Sequence, residues 1–166
     1  MFEFLKKKKK EDNTDLLKFV APVKGKTLPL SDVPDPVFAQ KMVGDGLAIM
    51  IEEDVVVAPA DGKLTLVFNT KHAFAMTLDN GIELLVHIGL ETVSLNGEGF
   101  EQLAQSGIKV KAGTPIIKVD REFVKLKGLN LITPVLITNP ENTKSITPVE
   151  NIDTAAGETI ILEYTV

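Results

Sequence analysis

Apolar and polar residues alternate in short runs along most of the chain, and Pro or Gly breaks each run before a long helix could complete. The runs are "VVVAPADGKLTLVF" at 55–68, "AFAMTLDNGIELLVHIGL" at 73–90, "IKVKAGTPIIKVD" at 108–120, "LITPVLIT" at 131–138 and "ETIILEYTV" at 158–166. A period of two with regular turn residues predicts an all-β protein, an antiparallel β-sandwich or barrel. Helical spacing is brief. In "GFEQLAQSG" (99–107), Phe100, Leu103 and Ala104 share a helical face, and "REFVKLKG" (121–128) supports a turn or two. Both predict short helical decorations.

One strand-turn unit occurs twice, as "VAPVKGKTL" at 20–28 and "VAPADGKLT" at 57–65. Each copy puts Ala-Pro at a strand edge and Gly at a turn, which predicts a sandwich built from duplicated units.

The strongest turn signal lies in "HAFAMTLDNGIELLVHIG" (72–89), where Asn80-Gly81 between apolar runs favours a two-residue turn with positive φ at both centres. With Asp79 and Ile82 flanking that turn, Met76 faces Leu85, Phe74 faces His87 and His72 faces Gly89. His72 and His87 then share one face as diagonal neighbours, about 7–8 Å apart at the backbone and within reach of each other's rings. Gly89, on the same face, leaves the sheet bare beside them. Ile82, Leu84, Val86, Ile88 and Leu90 make the opposite face continuously aliphatic and belong to the core.

His72 and His87 are the only two histidines. A lone strand histidine is more often structural than functional, but a paired, aromatic-flanked constellation points to chemistry. Two imidazoles could ligate a metal, although a catalytic zinc site usually takes three protein ligands and a third is not identified. Alternatively, one neutral imidazole attacks an electrophile such as a phosphoryl group while the other donates to it.

Composition narrows the field. The length of 166 residues suits one domain with one core. With no cysteine there is no disulfide, thiolate nucleophile or Cys-ligated zinc, and an intracellular reducing compartment fits. Aromatics at 5% and the absence of Trp argue against a stacking platform for nucleic acid. Residues 1–10 hold five lysines and one glutamate, net +4, so a total of −5 leaves −9 on the remainder, a body suited to basic protein partners. Residues 1–18 therefore read as a flexible lysine-rich tail and 19–166 as the domain. A second reading makes the tail a peripheral membrane anchor, with Phe2, Phe4 and Leu5 dipping in and the lysines meeting anionic lipid. No apolar run reaches the ~20 residues of a spanning helix, and the charges follow the apolar head, the reverse of a secretory signal.

"GIELLVHIGLETV" at 81–93, together with "VGDGLAI" at 43–49, "APADGKL" at 58–64, "NTKHAFAM" at 69–76 and "LNGEGF" at 95–100, resembles the glucose-type IIA components of the bacterial phosphoenolpyruvate-dependent sugar phosphotransferase system. The resemblance runs from about Phe19 to the C-terminus. It implies a cytoplasmic β-sandwich that takes a phosphoryl group from the phosphocarrier protein onto His87 and passes it to a cysteine of a sugar permease's IIB domain. His72 matches the second active-site histidine and Thr70 the threonine bonded to it. Phe38, Val43 and Phe68 match an apolar rim that meets both partners, and Asp35 and Glu91 match acidic positions facing basic partner residues. Glu91 is commonly Asp in relatives, and Pro36 stands where a less rigid residue is frequent.

The chemistry agrees with that resemblance. Attack through Nε2 needs a neutral ring with its proton on Nδ1, so a buried carbonyl or similar acceptor is expected beside His87. No cofactor is required, and zinc bridging His72 and His87 in a partner complex is kept as an alternative. So is a regulatory duty, in which the unphosphorylated surface binds and inhibits transporters or kinases. Biotinyl or lipoyl carrier domains also use such strand edges, but Lys24 and Lys63 lack the setting of a modified lysine. Zinc endopeptidases of β architecture need a His-x-His pair, which is absent here.

Overall fold

The computed structural model describes residues 17–166. Among the described residues, three antiparallel sheets make up the sandwich. The largest has eight strands in the order β13 (Asp153–Thr154), β2 (Gly25–Pro29), β3 (Asp45–Ile51), β11 (Ile132–Ile137), β7 (Glu83–His87), β6 (Ala73–Thr77), β5 (Gly62–Val67) and β9 (Lys109–Val110). Two three-stranded sheets accompany it: β1 (Leu17–Val20), β14 (Ile160–Thr165) and β12 (Ser145–Pro148) in one, β4 (Val55–Val57), β10 (Pro115–Val119) and β8 (Phe100–Gln102) in the other. The main core draws on all three, with Phe74, Met76, Leu84 and Val86 from the long sheet meeting Phe19, Leu162, Val56 and Ile117 from the short ones.

A second apolar cluster lies on the other face of the long sheet. There Ala48, Ile132 and Leu136 are covered by Leu30, Val33 and Phe38. Leu30 opens a single 3-10 turn (Leu30–Asp32), and Phe38 lies in the short helix α1 (Pro36–Ala39). Covered on both faces, β11 buries all six of its residues, Thr133 among them.

The duplicated units meet one another. Val20 N–H donates to Pro59 O at 2.9 Å and Val57 N–H donates to Pro22 O at 2.7 Å, so the two Val-Ala-Pro segments bond reciprocally. A second echo, unnoticed in the sequence, completes each half. Gly113 of "AGTPIIKV" donates to Ala58 O and Gly157 of "AGETIILE" donates to Ala21 O, each at 2.8 Å.

Three expectations change. The β6–β7 register is Ala73↔His87, Phe74↔Val86 and Met76↔Leu84, one residue from the expected pairing. Leu78 N–H donates to Ile82 O, closing a three-residue loop in which Gly81 has φ +87° while Asn80 keeps a negative φ. Asn80 Oδ1 accepts from Ile82 N at 3.1 Å and Nδ2 donates to Tyr164 Oη at 3.0 Å, so the side chain makes the turn that the backbone was expected to make. The observed register also keeps Phe74 and Val86 together in the core and places His87 on the opposite face; the expected one would have put Phe74 and His87 on a common face.

The helix expected within 99–107 is instead β8, which pairs with Ile117–Val119. Leu103 is 43% exposed, so the supposed apolar face is not buried as a unit, and a single turn is too short to sustain a helix on propensity. The other helix forms as expected, as α2 (Arg121–Leu126), with Asp120 accepting from Phe123 N at 3.1 Å as its N-cap. Finally, Leu17 and Lys18 pair with Tyr164 and Glu163 in β1, so the expected tail boundary at residue 18 falls inside a strand. The lysine run and its anchor reading lie outside the described residues. Among the described residues no helix is long and apolar enough to cross a membrane.

Close strand approach gives a stability prediction. A Cβ at Gly46 would lie 2.2 Å from the Val135 carbonyl oxygen, whereas one at Gly81 would touch nothing. Gly46→Ala is expected to lower unfolding free energy by about 3 kcal/mol, and Gly81→Ala, strained only by its positive φ, by about 1 kcal/mol. Urea denaturation of the two variants checks the order, and a larger loss at Gly81 would contradict it.

Candidate active site

His87 is the last residue of β7, and strand alternation carries it to the face opposite Leu84 and Val86, beside the second cluster. The chain then leaves the ladder. Ile88 returns to the core and donates to His72 O at 2.7 Å, and Gly89 takes φ +75°. In that conformation the Gly89 carbonyl lies 2.7 Å from His87 Nδ1. A carbonyl can only accept, so Nδ1 carries the proton and Nε2 keeps its lone pair.

His72 comes from the loop before β6. Phe68 N–H donates to Ala73 O, Lys71 N–H donates to Phe68 O, and Lys71 sits at φ +56°, turning the chain sharply enough to deliver the ring. Its Nδ1 is 2.6 Å from Thr70 Oγ1. The two imidazoles meet edge to face, with centroids 4.9 Å apart and planes at 81°. They were expected as diagonal neighbours within a regular ladder. Instead His72 lies opposite Ile88 just beyond the ladder's end, and the turn at Lys71 brings the rings together. Each ring has an aromatic wall: Phe38 stands 5.0 Å from His87, and Phe68 stands 5.5 Å from His72.

Gly89 also acts differently from expectation. It does not bare the sheet for a visitor, because a Cβ there would meet Thr92 Cγ2 at 2.7 Å and Asn130 O at 2.8 Å. Its carbonyl is what serves the site. Leu90 likewise leaves the main core for the second cluster.

The expected rim is partly a wall. Phe38 is only 6% exposed and packs in the second cluster with half-buried Val43. The apolar surface open to a partner belongs to neighbours that sequence reading passed over: Val37 and Met42 beside Phe38, and Val93 after β7, are 41%, 69% and 52% exposed. Their signal was present as apolar residues flanking Phe38 and Glu91 in sequence. Asp35 caps α1, its Oδ1 accepting from Val37 N at 3.0 Å. Exposed Glu91 lines, with Asp35, one surface depression of about 340 Å3.

Burial governs the charge state of both rings. It lowers the pKa of His87, an effect opposed by the Gly89 hydrogen bond and by the Asp35 carboxylate. His72, 4% exposed, is lowered to about 4, first by burial and then by repulsion from His87. Both are therefore neutral near pH 7. Among the described residues no cluster of three or more His, Cys, Asp or Glu side chains is placed to hold a metal.

Comparison with known proteins now decides the family. Residues 17–143 match the family described as phosphoenolpyruvate-dependent sugar phosphotransferase system, EIIA 1. The chain belongs to that family. It is 45% identical over 167 aligned positions to a "PTS system glucose-specific EIIA component" of Staphylococcus epidermidis, covering 100% of this chain and 99% of that protein. A component of the same description from Staphylococcus aureus is 44% identical, with 99% of each chain covered. Among solved structures, glucose permease IIA from Mycoplasma capricolum superposes with a TM-score of 0.82 at 36% identity, covering 89% of this chain and 95% of that one. The EIIA family is a phosphoryl-transfer family, and the β-sandwich expected from the alternating pattern is its fold.

The depressed pKa of His72 predicts a pH dependence for this EIIA protein. Between about 4 and 6.5 the unfolded chain binds a proton that folded His72 refuses, so its contribution is complete above pH 6.5 and is lost as pH falls through 4. At most about 3 kcal/mol is at stake. Urea unfolding near pH 7 and near pH 4 should show a smaller acid loss in His72→Gln than in the parent, and equal losses would contradict burial of a neutral ring.

Proposed function

We propose that this EIIA protein accepts a phosphoryl group from the phosphocarrier protein on His87 Nε2 and passes it to a cysteine of a sugar permease's IIB domain, on the cytoplasmic side. The observation that carries this reading is the 2.7 Å hydrogen bond from His87 Nδ1 to the Gly89 carbonyl. It commits one nitrogen as donor and leaves the other as nucleophile. In the first step a P–N bond forms at His87 Nε2 as the bond from phosphorus to the donor's histidine breaks. In the second, the thiolate sulfur attacks phosphorus and the Nε2 lone pair is restored. His87 Nδ1 keeps its proton throughout.

His72 takes the complementary part. Thr70 can donate its hydroxyl proton to His72 Nδ1, which fixes the remaining proton on Nε2 and presents an N–H to the phosphoryl oxygens. A neutral donor suits a ring that burial keeps uncharged, and the charge spread over those oxygens is what it stabilises. Phe38 and Phe68 limit water at the site, which favours survival of the phosphohistidine until a partner arrives. The relatives' glucose designation supports a glucose-type permease as recipient. This route needs no cofactor; zinc held by both imidazoles would take its remaining ligands from a partner chain.

Incubation with phosphoenolpyruvate, the system's first enzyme and the phosphocarrier should add one acid-labile phosphoryl group, read by mass. His87→Ala is expected to take up none. His72→Gln is expected to be phosphorylated on His87 yet to transfer onward about 100- to 1000-fold more slowly, the usual cost of losing one transition-state donor. Phosphate on residue 72, or unimpaired onward transfer by His72→Gln, would overturn these roles.

Partner binding should rest on the apolar surface, because desolvated central contacts dominate affinity while exposed charges mainly tune association rate. Phe68→Ala and Met42→Ala are each expected to weaken phosphocarrier binding by about tenfold, and Glu91→Gln by less at physiological salt. An NMR titration that ranks Glu91→Gln as most damaging would place the energetic centre elsewhere.

A further inference from the structure

The Gly89 carbonyl and the Leu90 N–H belong to one planar trans peptide, so they point in opposite directions. Leu90 N–H donates to Asn130 O at 2.9 Å, which aims the Gly89 carbonyl the other way, onto His87 Nδ1. The peptide plane preceding Gly89 is pinned as well, since Gly89 N–H donates to Thr133 Oγ1 at 3.3 Å. Thr133 is fully buried on β11, and its one hydroxyl proton goes to Leu131 O at 3.0 Å, leaving a lone pair for Gly89. Asn130 is fixed in turn, because its Oδ1 accepts from Ile132 N at 2.8 Å.

We propose that Thr133, assisted by Asn130, is a positioning residue that sets the proton of His87 by orienting the Gly89 peptide; for its kinetic consequence the inference rests on the relay reading above. Without the hydroxyl, the buried Gly89 N–H loses its hydrogen-bond partner. Gly89 carries no side chain to hold its torsions, so the peptide rotates and the carbonyl leaves Nδ1. The proton is then shared between the two ring nitrogens, and the fraction of nucleophilic Nε2 falls.

The test is nitrogen NMR of the His87 ring in unphosphorylated protein, which reads proton position whether or not the relay reading holds. The parent should show a protonated Nδ1 and an unprotonated Nε2. Thr133→Val, of equal shape, should move both signals toward averaged values and slow phosphoryl uptake about tenfold, and Thr133→Ser should restore both. Asn130→Ala, acting on the same peptide from a half-buried position, should shift the signals in the same direction and provides the decision should Thr133→Val fail to fold. Thr154→Val removes another buried hydroxyl, bonded to Val23 O and Gly25 O at the far edge of the long sheet, and should leave the His87 signals unmoved. Unchanged His87 nitrogens in Asn130→Ala and in any folded Thr133→Val, or an equal shift in Thr154→Val, would overturn the proposal.

Discussion

The register of β7 is the constraint on which the site depends. Side chains alternate across a strand, so a slip of one residue would carry Leu84 and Val86 out of the core and turn His87 into it. Both valine and leucine are fully buried, and leaving both exposed would forfeit several kcal/mol on ordinary transfer values. β7 is also held from both sides, by β6 through Phe74↔Val86 and by β11 through Val135↔Val86. Apolar packing that never touches the imidazole therefore decides which way it points. Alternation continues through Ile88, which returns to the core, and the chain bends at Gly89, where φ is +75°.

The two rings are chemically alike and become unlike through their first neighbours. His87 faces a carbonyl, which permits one assignment of its proton. His72 faces a hydroxyl, which permits either and so can complement whatever the pair requires. Their mutual approach disfavours two charges, and burial disfavours even one, so the site rests as two neutral groups with a division of labour. Asp35 works weakly against this at His87, its carboxylate already engaged in capping α1.

Much of this was legible because it is local. Alternation pointed to the sheet fold, Asn80-Gly81 to the hairpin, and the only two histidines to a pair of rings that do meet. The register was missed by one residue because Asn80 uses its side chain, anchored on Tyr164 from the far end of the chain, to shape the loop. The helix misread at 99–107 rested on three apolar positions that a strand pairing with β10 outcompeted. Phe38, Val43 and Phe68 were expected through family likeness, whereas exposed Val37, Met42 and Val93 emerge only once burial separates wall from surface. Thr133 and Asn130 could not have been read at all, because nothing in their own segment signals hydrogen bonds to Gly89 and Leu90, forty or more residues away.

The pairing of β1 with β14 joins the first described strand to the last. During synthesis, the Val-Ala-Pro unit at 20–22 can find its counterpart at 57–59 early, but the partner of Phe19 emerges only when the C-terminal strand leaves the ribosome. Such sequence-distant pairing places folding in the millisecond-to-second range rather than the microsecond range of helical bundles. Until then β1 is an unpaired edge with Leu17 and Phe19 in it, open to a neighbouring nascent chain. The histidine hairpin, whose strands are adjacent in sequence, can begin to pair early, but its loop is anchored on Tyr164 of that same last strand, so its final shape waits on the same closure.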